Sequence, residues 1–133
     1  MVRQLMAAGL AGAAALAVVA VGNVQAQPVG HKAECFYPND WNGWKATPDS
    51  RAVYLRVGVN RIYRLEMANA CDELQEPGAR LITKVHGSDM FCDALDFDLS
   101  VSEPNGIPTP CIVSKMTQLT PAEAATLPRS LRP

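Results

Sequence analysis

Apolar and polar residues alternate along several stretches of the chain, the period of strands buried on one face. Val53, Leu55 and Val57 alternate with Tyr54 and Arg56, and Tyr63, Leu65 and Met67 alternate with Ile62, Arg64 and Glu66. Gly58-Val59-Asn60 lies between the two runs and supplies turn residues, so they are read as a hairpin. Leu81, Thr83 and Val85 predict a further strand closed by Gly87. The most regular alternation sets Leu95, Phe97, Leu99 and Val101 against Asp96, Asp98, Ser100 and Ser102. Pro104-Asn105-Gly106 then turns the chain, and residues 111–118 predict a strand with Ile112 and Met116 inward. Cys35-Phe36-Tyr37 is read as a short strand in an otherwise polar, irregular stretch over residues 27–51.

Helical signals are few. Residues 70–74 fit one helical turn before Pro77-Gly78. Thr120-Pro121-Ala122-Glu123 combines a capping threonine, a proline at the first helical position and the glutamate of a capping box. Pro128 keeps that helix short, and residues 128–133 are read as a flexible tail. The expected fold is therefore mainly β: a small antiparallel sheet or partly open barrel of about five to six strands with a short C-terminal helix, over residues 27–127.

The N-terminus changes the picture. Met1 to Arg3 make a short positive start, and Leu5 to Gly22 run apolar without a charge. Asn23 breaks the run, and Val24-Gln25-Ala26 places small or modest residues where a signal peptidase reads. Residues 1–26 are read as a signal peptide cut before Gln27, with no stable membrane span afterwards. The leader is bacterial in style, so the periplasm or the medium is the expected destination. Arg3 is the only charge in the leader; setting it aside from 12 basic and 13 acidic side chains leaves a net of −2. That balance disfavours a nucleic-acid binder, which needs a basic face.

Export makes the cysteines legible. Cys35, Cys71, Cys92 and Cys111 all follow the leader and none is left over, which in an oxidising compartment predicts two disulfides. No pair has the C-x-x-C spacing of a zinc or redox site. In an up-and-down meander, a Cys92–Cys111 bridge would span strand 95–102, on the order of 25 Å, against a limit of roughly 7 Å between bridged Cα atoms. That connectivity is excluded. Cys35–Cys92 with Cys71–Cys111 is predicted, and Cys35–Cys111 with Cys71–Cys92 stays open.

Catalytic groups are scarce. His31 lies near the ragged start, and His86 sits in Val85-His86-Gly87-Ser88-Asp89, a polar loop rather than a triad assembled from separate segments. Asp89, Asp93, Asp96 and Asp98 are concentrated enough to be considered for paired-carboxylate chemistry, but alternation places Asp96 and Asp98 on a solvated face. No catalytic residue, metal site or cofactor is assigned. The candidate binding residues are Trp41 and Trp44, either an aromatic stacking surface or a lid on the sheet, and Arg56 and Arg64 on the outer face of the hairpin. The arginines either grip an anion or pair with Glu66, Asp96 or Asp98.

Cys35-Phe36, Trp44, Tyr63-Arg64-Leu65, Cys71-Asp72-Glu73-Leu74, Phe91-Cys92, Cys111-Ile112 and Leu119-Thr120-Pro121-Ala122-Glu123 occur in this order. The chain thereby resembles a family of small exported proteobacterial proteins of unknown function with four spaced cysteines and an L-T-P-x-E ending. It departs from that pattern after Cys92, where Asp93-Ala94-Leu95 follows. The resemblance implies an exported, disulfide-bonded domain and supplies no activity. The expected role is a non-enzymatic binding or envelope-associated interaction module, its partner a periplasmic protein or small ligand. The alternatives are a small periplasmic hydrolase using Asp and His groups, or an inhibitor of a secreted enzyme presenting residues 103–110.

Overall fold

A computed structural model describes residues 32–85 and 89–133. The leader, its cut before Gln27, His31, His86 and Ser88 lie outside the described residues. In chain order the strands are β1 (Trp41–Ala46), β2 (Ala52–Val57), β3 (Arg61–Met67), β4 (Arg80–Val85), β5 (Phe97–Ser102), β6 (Thr109–Pro110) and β7 (Val113–Gln118), followed by helix α1 (Pro121–Thr126). They form two antiparallel sheets, one ordered β1-β2-β3-β7 and one ordered β4-β5-β6. Neither closes into a barrel. The mainly β fold with one short helix is as expected.

The hairpin of β2 and β3 pairs Val53 with Leu65 and Leu55 with Tyr63. All four side chains are fully buried. Gly58 in its turn has a φ of 60°, a conformation that costs glycine little and other residues more. The inner face of the smaller sheet contributes Phe97, Leu99 and Val101 to the same core. Phe36 and Phe91 join the two layers. They form an isolated antiparallel bridge rather than the strand expected at residues 35–37, with main-chain bonds of 3.0 and 2.8 Å. Phe91 stacks on Phe97 at 4.2 Å between ring centroids, and Phe36 meets Tyr63 at 4.7 Å.

The meander assumed in pairing the cysteines is corrected: β3 is followed in space by β7, not by β4. After Met67 the chain leaves the sheet through a 3-10 turn at Asp72–Gln75. Cys71 is bonded to Cys111, and the Ala68 N–H donates to the Ile112 carbonyl at 2.8 Å. The segment entering β7 is thus held beside the end of β3. The disulfides are nevertheless the predicted Cys35–Cys92 and Cys71–Cys111.

Three local phases differ from the alternation read in the sequence. Leu95, expected inward, is 86% exposed, because Ala94–Asp96 forms a 3-10 turn and β5 begins at Phe97. Ile112, also expected inward, is 68% exposed while Val113 is buried. A register shift between Glu66 and Met67 pairs Met67 with Val113 and Leu65 with Met116, so the inward positions of β7 are Val113 and Met116. Finally, β1 and β6 occupy stretches read as irregular or as a presented loop.

The C-terminus follows its local code in part. Thr120 Oγ1 accepts from the Glu123 N–H at 3.2 Å, and Glu123 Oε2 accepts from the Thr120 N–H at 2.7 Å, the expected capping box. Beyond Pro128, residues Arg129–Leu131 form a 3-10 turn, and Arg132 donates to the carbonyls of Leu127 and Ala125, both at 2.8 Å. A Cβ at Gly43 would meet the Pro133 main chain at 3.9 Å, so the end of the chain reaches β1.

Candidate functional site

Strand β1 carries a register irregularity between Trp41 and Gly43: Trp41 pairs with Val57, Gly43 with Arg56 and Trp44 with Leu55. Without it, Trp41 and Trp44, an odd number of residues apart, would point to opposite faces. The extra residue turns both rings toward the face of Val57 and Leu55. Trp41 Nε1 donates to the Gly43 carbonyl at 3.1 Å, which satisfies the indole and holds its ring against the strand. Both rings are half-buried and pack on the core.

The two tryptophans line a wide, open groove of about 530 Å³ together with Pro38, Gly43, Leu81, Ile82 and Thr83. Its walls are the outermost strand of each sheet, β1 on one side and β4 on the other. Leu81 and Thr83 are half-buried, whereas Arg80, Ile82 and Lys84 are exposed, Ile82 at 41%. The arrangement offers apolar ring faces and aliphatic side chains beside strand edges whose outer main-chain groups have no sheet partner among the described residues. Such a site holds a ligand by burying apolar surface and completing main-chain hydrogen bonds.

The arginines are not brought to this groove. Arg64 extends over Tyr54, its guanidinium carbon 5.7 Å from the ring centroid, and its Nε lies 3.7 Å from Glu66 Oε1. Of the partners expected for it, Glu66 is the one reached. Arg56 pairs in register with Ile62 and Gly43. Its guanidinium would meet a Cβ on Gly43 at 3.7 Å, which places it on the face opposite Trp41 and Trp44. The four candidate binding residues therefore divide between two faces of one sheet.

Asp93 and Asp96 are occupied with local structure. Asp93 Oδ1 accepts from the Leu95 N–H at 2.8 Å, and Asp96 Oδ2 accepts from the N–H groups of Cys92 at 2.7 Å and Asp93 at 3.0 Å. These bonds close the 3-10 turn before β5. Asp98 stands opposite Lys84 across the β4–β5 ladder. Ligand atoms of Cys71, Cys111 and Glu73 lie within 4.8 Å of one another. The two sulfurs are joined as a disulfide, which removes the thiolates a metal would need. Loop 103–108 is exposed and carries Ile107 at 91% exposure. Residues 103–108 carry no aromatic or basic side chain with which to enter an enzyme's site.

One titratable group is shifted in the core. Tyr63 is fully buried, and its hydroxyl donates to the Glu34 carbonyl at 2.9 Å. Burial raises its pKa above the ordinary 10.0, and the nearby Arg61 opposes that shift.

Leu81, Ile82 and Thr83 are not among the candidate binding residues read from the sequence. Their part in the groove follows from the position of β4 at the edge of its sheet, which pattern and propensity do not encode.

The geometry defines a small, doubly disulfide-bonded domain of two β sheets with an open aromatic groove. The chain belongs to a family of unknown function, DUF6491, whose model matches residues 1–133. Comparison with curated proteins and with solved structures gives no match.

Proposed function

We propose that the protein is an exported, non-enzymatic binding module that holds an apolar segment of an envelope-side partner in the Trp41–Trp44 groove. The observation that carries this reading is the register shift in β1. It spends one residue of strand pairing to set both indoles on one face, beside Leu81, Ile82 and Thr83. Rigid aromatic rings gain contact area at low cost in side-chain entropy, the property that makes tryptophan frequent at binding hot spots. The volume, about 530 Å³, suits a few side chains of a partner. Export is supported by the leader and by the pairing of all four cysteines.

A phage-displayed peptide library selected on the purified protein tests the site. The recovered peptides should shift the tryptophan emission and lose about tenfold or more in affinity for Trp44→Ala, with Arg64→Ala unaffected. Thr83→Asp, a change on the groove face of β4, should weaken the same peptides and guards against a Trp44→Ala protein that fails to fold. Binders indifferent to both variants would overturn the reading. Export is checked by N-terminal sequencing of the protein recovered from a bacterial host. A mature chain starting at Gln27 is expected, and an intact Met1 on folded protein would contradict it.

A further inference from the structure

The smaller sheet ends at β4, so one side of this six-residue strand has no sheet partner among the described residues. In antiparallel pairing with β5, alternate residues of β4 turn their main-chain N–H and C=O groups toward that open side. The outer face of β4 presents Arg80, Ile82 and Lys84, and the inner face presents Leu81 and Thr83 to the groove. Across the ladder, Arg80 faces Ser102, Ile82 faces Ser100 and Lys84 faces Asp98. Two cations therefore stand opposite a single acid, and Arg80 has no ion-pair partner among the described residues.

From this, and resting on the groove reading above, we infer that the occupant is an extended acidic–apolar peptide segment that adds as a fourth strand to the open edge of β4. A strand in that position sends alternate side chains to opposite faces. One set enters the groove, where Trp41, Trp44 and Leu81 favour apolar groups. The other set lies on the outer face, where carboxylates spaced four residues apart meet Arg80 and Lys84, with a neutral β-former opposite Ile82. The same charges disfavour a second copy of this chain. Antiparallel self-pairing centred on Ile82 sets Arg80 against Lys84 twice, and like charges directly opposite are destabilising.

The probe is the palindromic peptide acetyl-Gly-Glu-Val-Thr-Val-Glu-Gly-amide, which presents the same pattern in either direction, added to the full disulfide-bonded protein. Titration at low ionic strength should show at least about tenfold tighter binding than the peptide with Lys in place of Glu, with the gap narrowing as salt is added. The preference should largely vanish in the variant Arg80→Glu, which leaves Lys84 against one new acid, and should invert in the double variant Arg80→Glu/Lys84→Glu. N-methylation separates strand addition from simple apolar contact. Methylating one alternate set of peptide nitrogens should abolish binding, and methylating the other set should leave it unchanged. Equal affinity of the Glu and Lys peptides would overturn the acidic occupant, and tolerance of both methylated sets would overturn strand addition. The groove reading survives such a result if library-selected peptides still depend on Trp44, and falls only if they do not.

Discussion

Strands β2 and β3 of the larger sheet each have a neighbour on both sides, whereas β4 of the smaller sheet has one. The consequence is visible residue by residue. Val53, Leu55, Val57, Tyr63 and Leu65 are fully buried, and even Tyr54, on the outer face, is only 6% exposed. In β4 the inward Leu81 and Thr83 are half-buried, and Ile82 is exposed. Strand β4 is no poorer in strand-forming residues than β2 and β3. What differs is their place in the order of strands, so burial here is a property of topology as much as of side-chain type. The well-covered sheet is a platform closed on both sides, and β4 leaves one strand edge without a sheet partner among the described residues.

The largest test of that contrast removes the covalent ties between the regions. The bridges close sequence separations of 57 residues for Cys35–Cys92 and 40 for Cys71–Cys111. In the chain-entropy model each contributes about 4 kcal/mol, which together is comparable with the whole stability of an ordinary domain. Full reduction should therefore unfold the protein or lower its melting temperature steeply, as read by circular dichroism. A melt that does not move would mean that the two sheets need no covalent tie.

Next in size is Phe91→Ala. Phe91 is fully buried where the layers meet, and its loss should cost about 3–5 kcal/mol in urea unfolding. A cost under 1 kcal/mol would show that the smaller sheet does not depend on that aromatic junction.

Tyr63→Phe probes the platform itself. Removing the hydroxyl bond to Glu34 should cost about 0.5–1.5 kcal/mol at neutral pH. The folded pKa of Tyr63 is raised, so the unfolded chain gives up the proton more readily. The tyrosine's advantage is therefore fully present below pH 10.0 and shrinks as the pH rises through the folded value. Unfolding curves for the two proteins should draw together in strong alkali, and a constant separation would refute the assignment. The smallest effect is expected at the open edge: Ile82→Ala should change stability by no more than about 0.5 kcal/mol. A larger loss would mean that β4 is supported from its open side.

Much of the framework is legible in the residues. The hairpin of β2 and β3, strand β4, most of β5, the Thr120 capping box and the presence of two disulfides follow from period, turn chemistry and even cysteine count, whereas the predicted pairing rests on a meander that the structure does not have. The missed parts share a physical cause. Period-two reasoning fails where one strand carries an extra residue, and this happens at β1 and again where β3 meets β7. It hid β1 altogether and put Ile112 on the wrong face. Leu95 was misplaced because Asp93 and Asp96 bind main-chain N–H groups and fold the start of the expected strand into a turn. For the site, Trp41 and Trp44 stand out in sequence as large rings in a polar stretch. Their partner Leu81-Ile82-Thr83 does not, because nothing local says which strand of the second sheet will be outermost. Arg56 and Arg64 are likewise conspicuous as charges, yet they share a sheet with the tryptophans and not a face.

The seat of β7 beside β3 also sets the order in which this molecule can be finished. During synthesis the β2–β3 hairpin emerges early, with the free side of β3 bare. The segment that covers it, Val113–Gln118, is made only after β4, β5 and β6. Contacts so distant in sequence form slowly, and until they do the nascent hairpin is a template for unwanted association. A nonsense codon a little before residue 113 would therefore yield a sticky fragment rather than a smaller working domain.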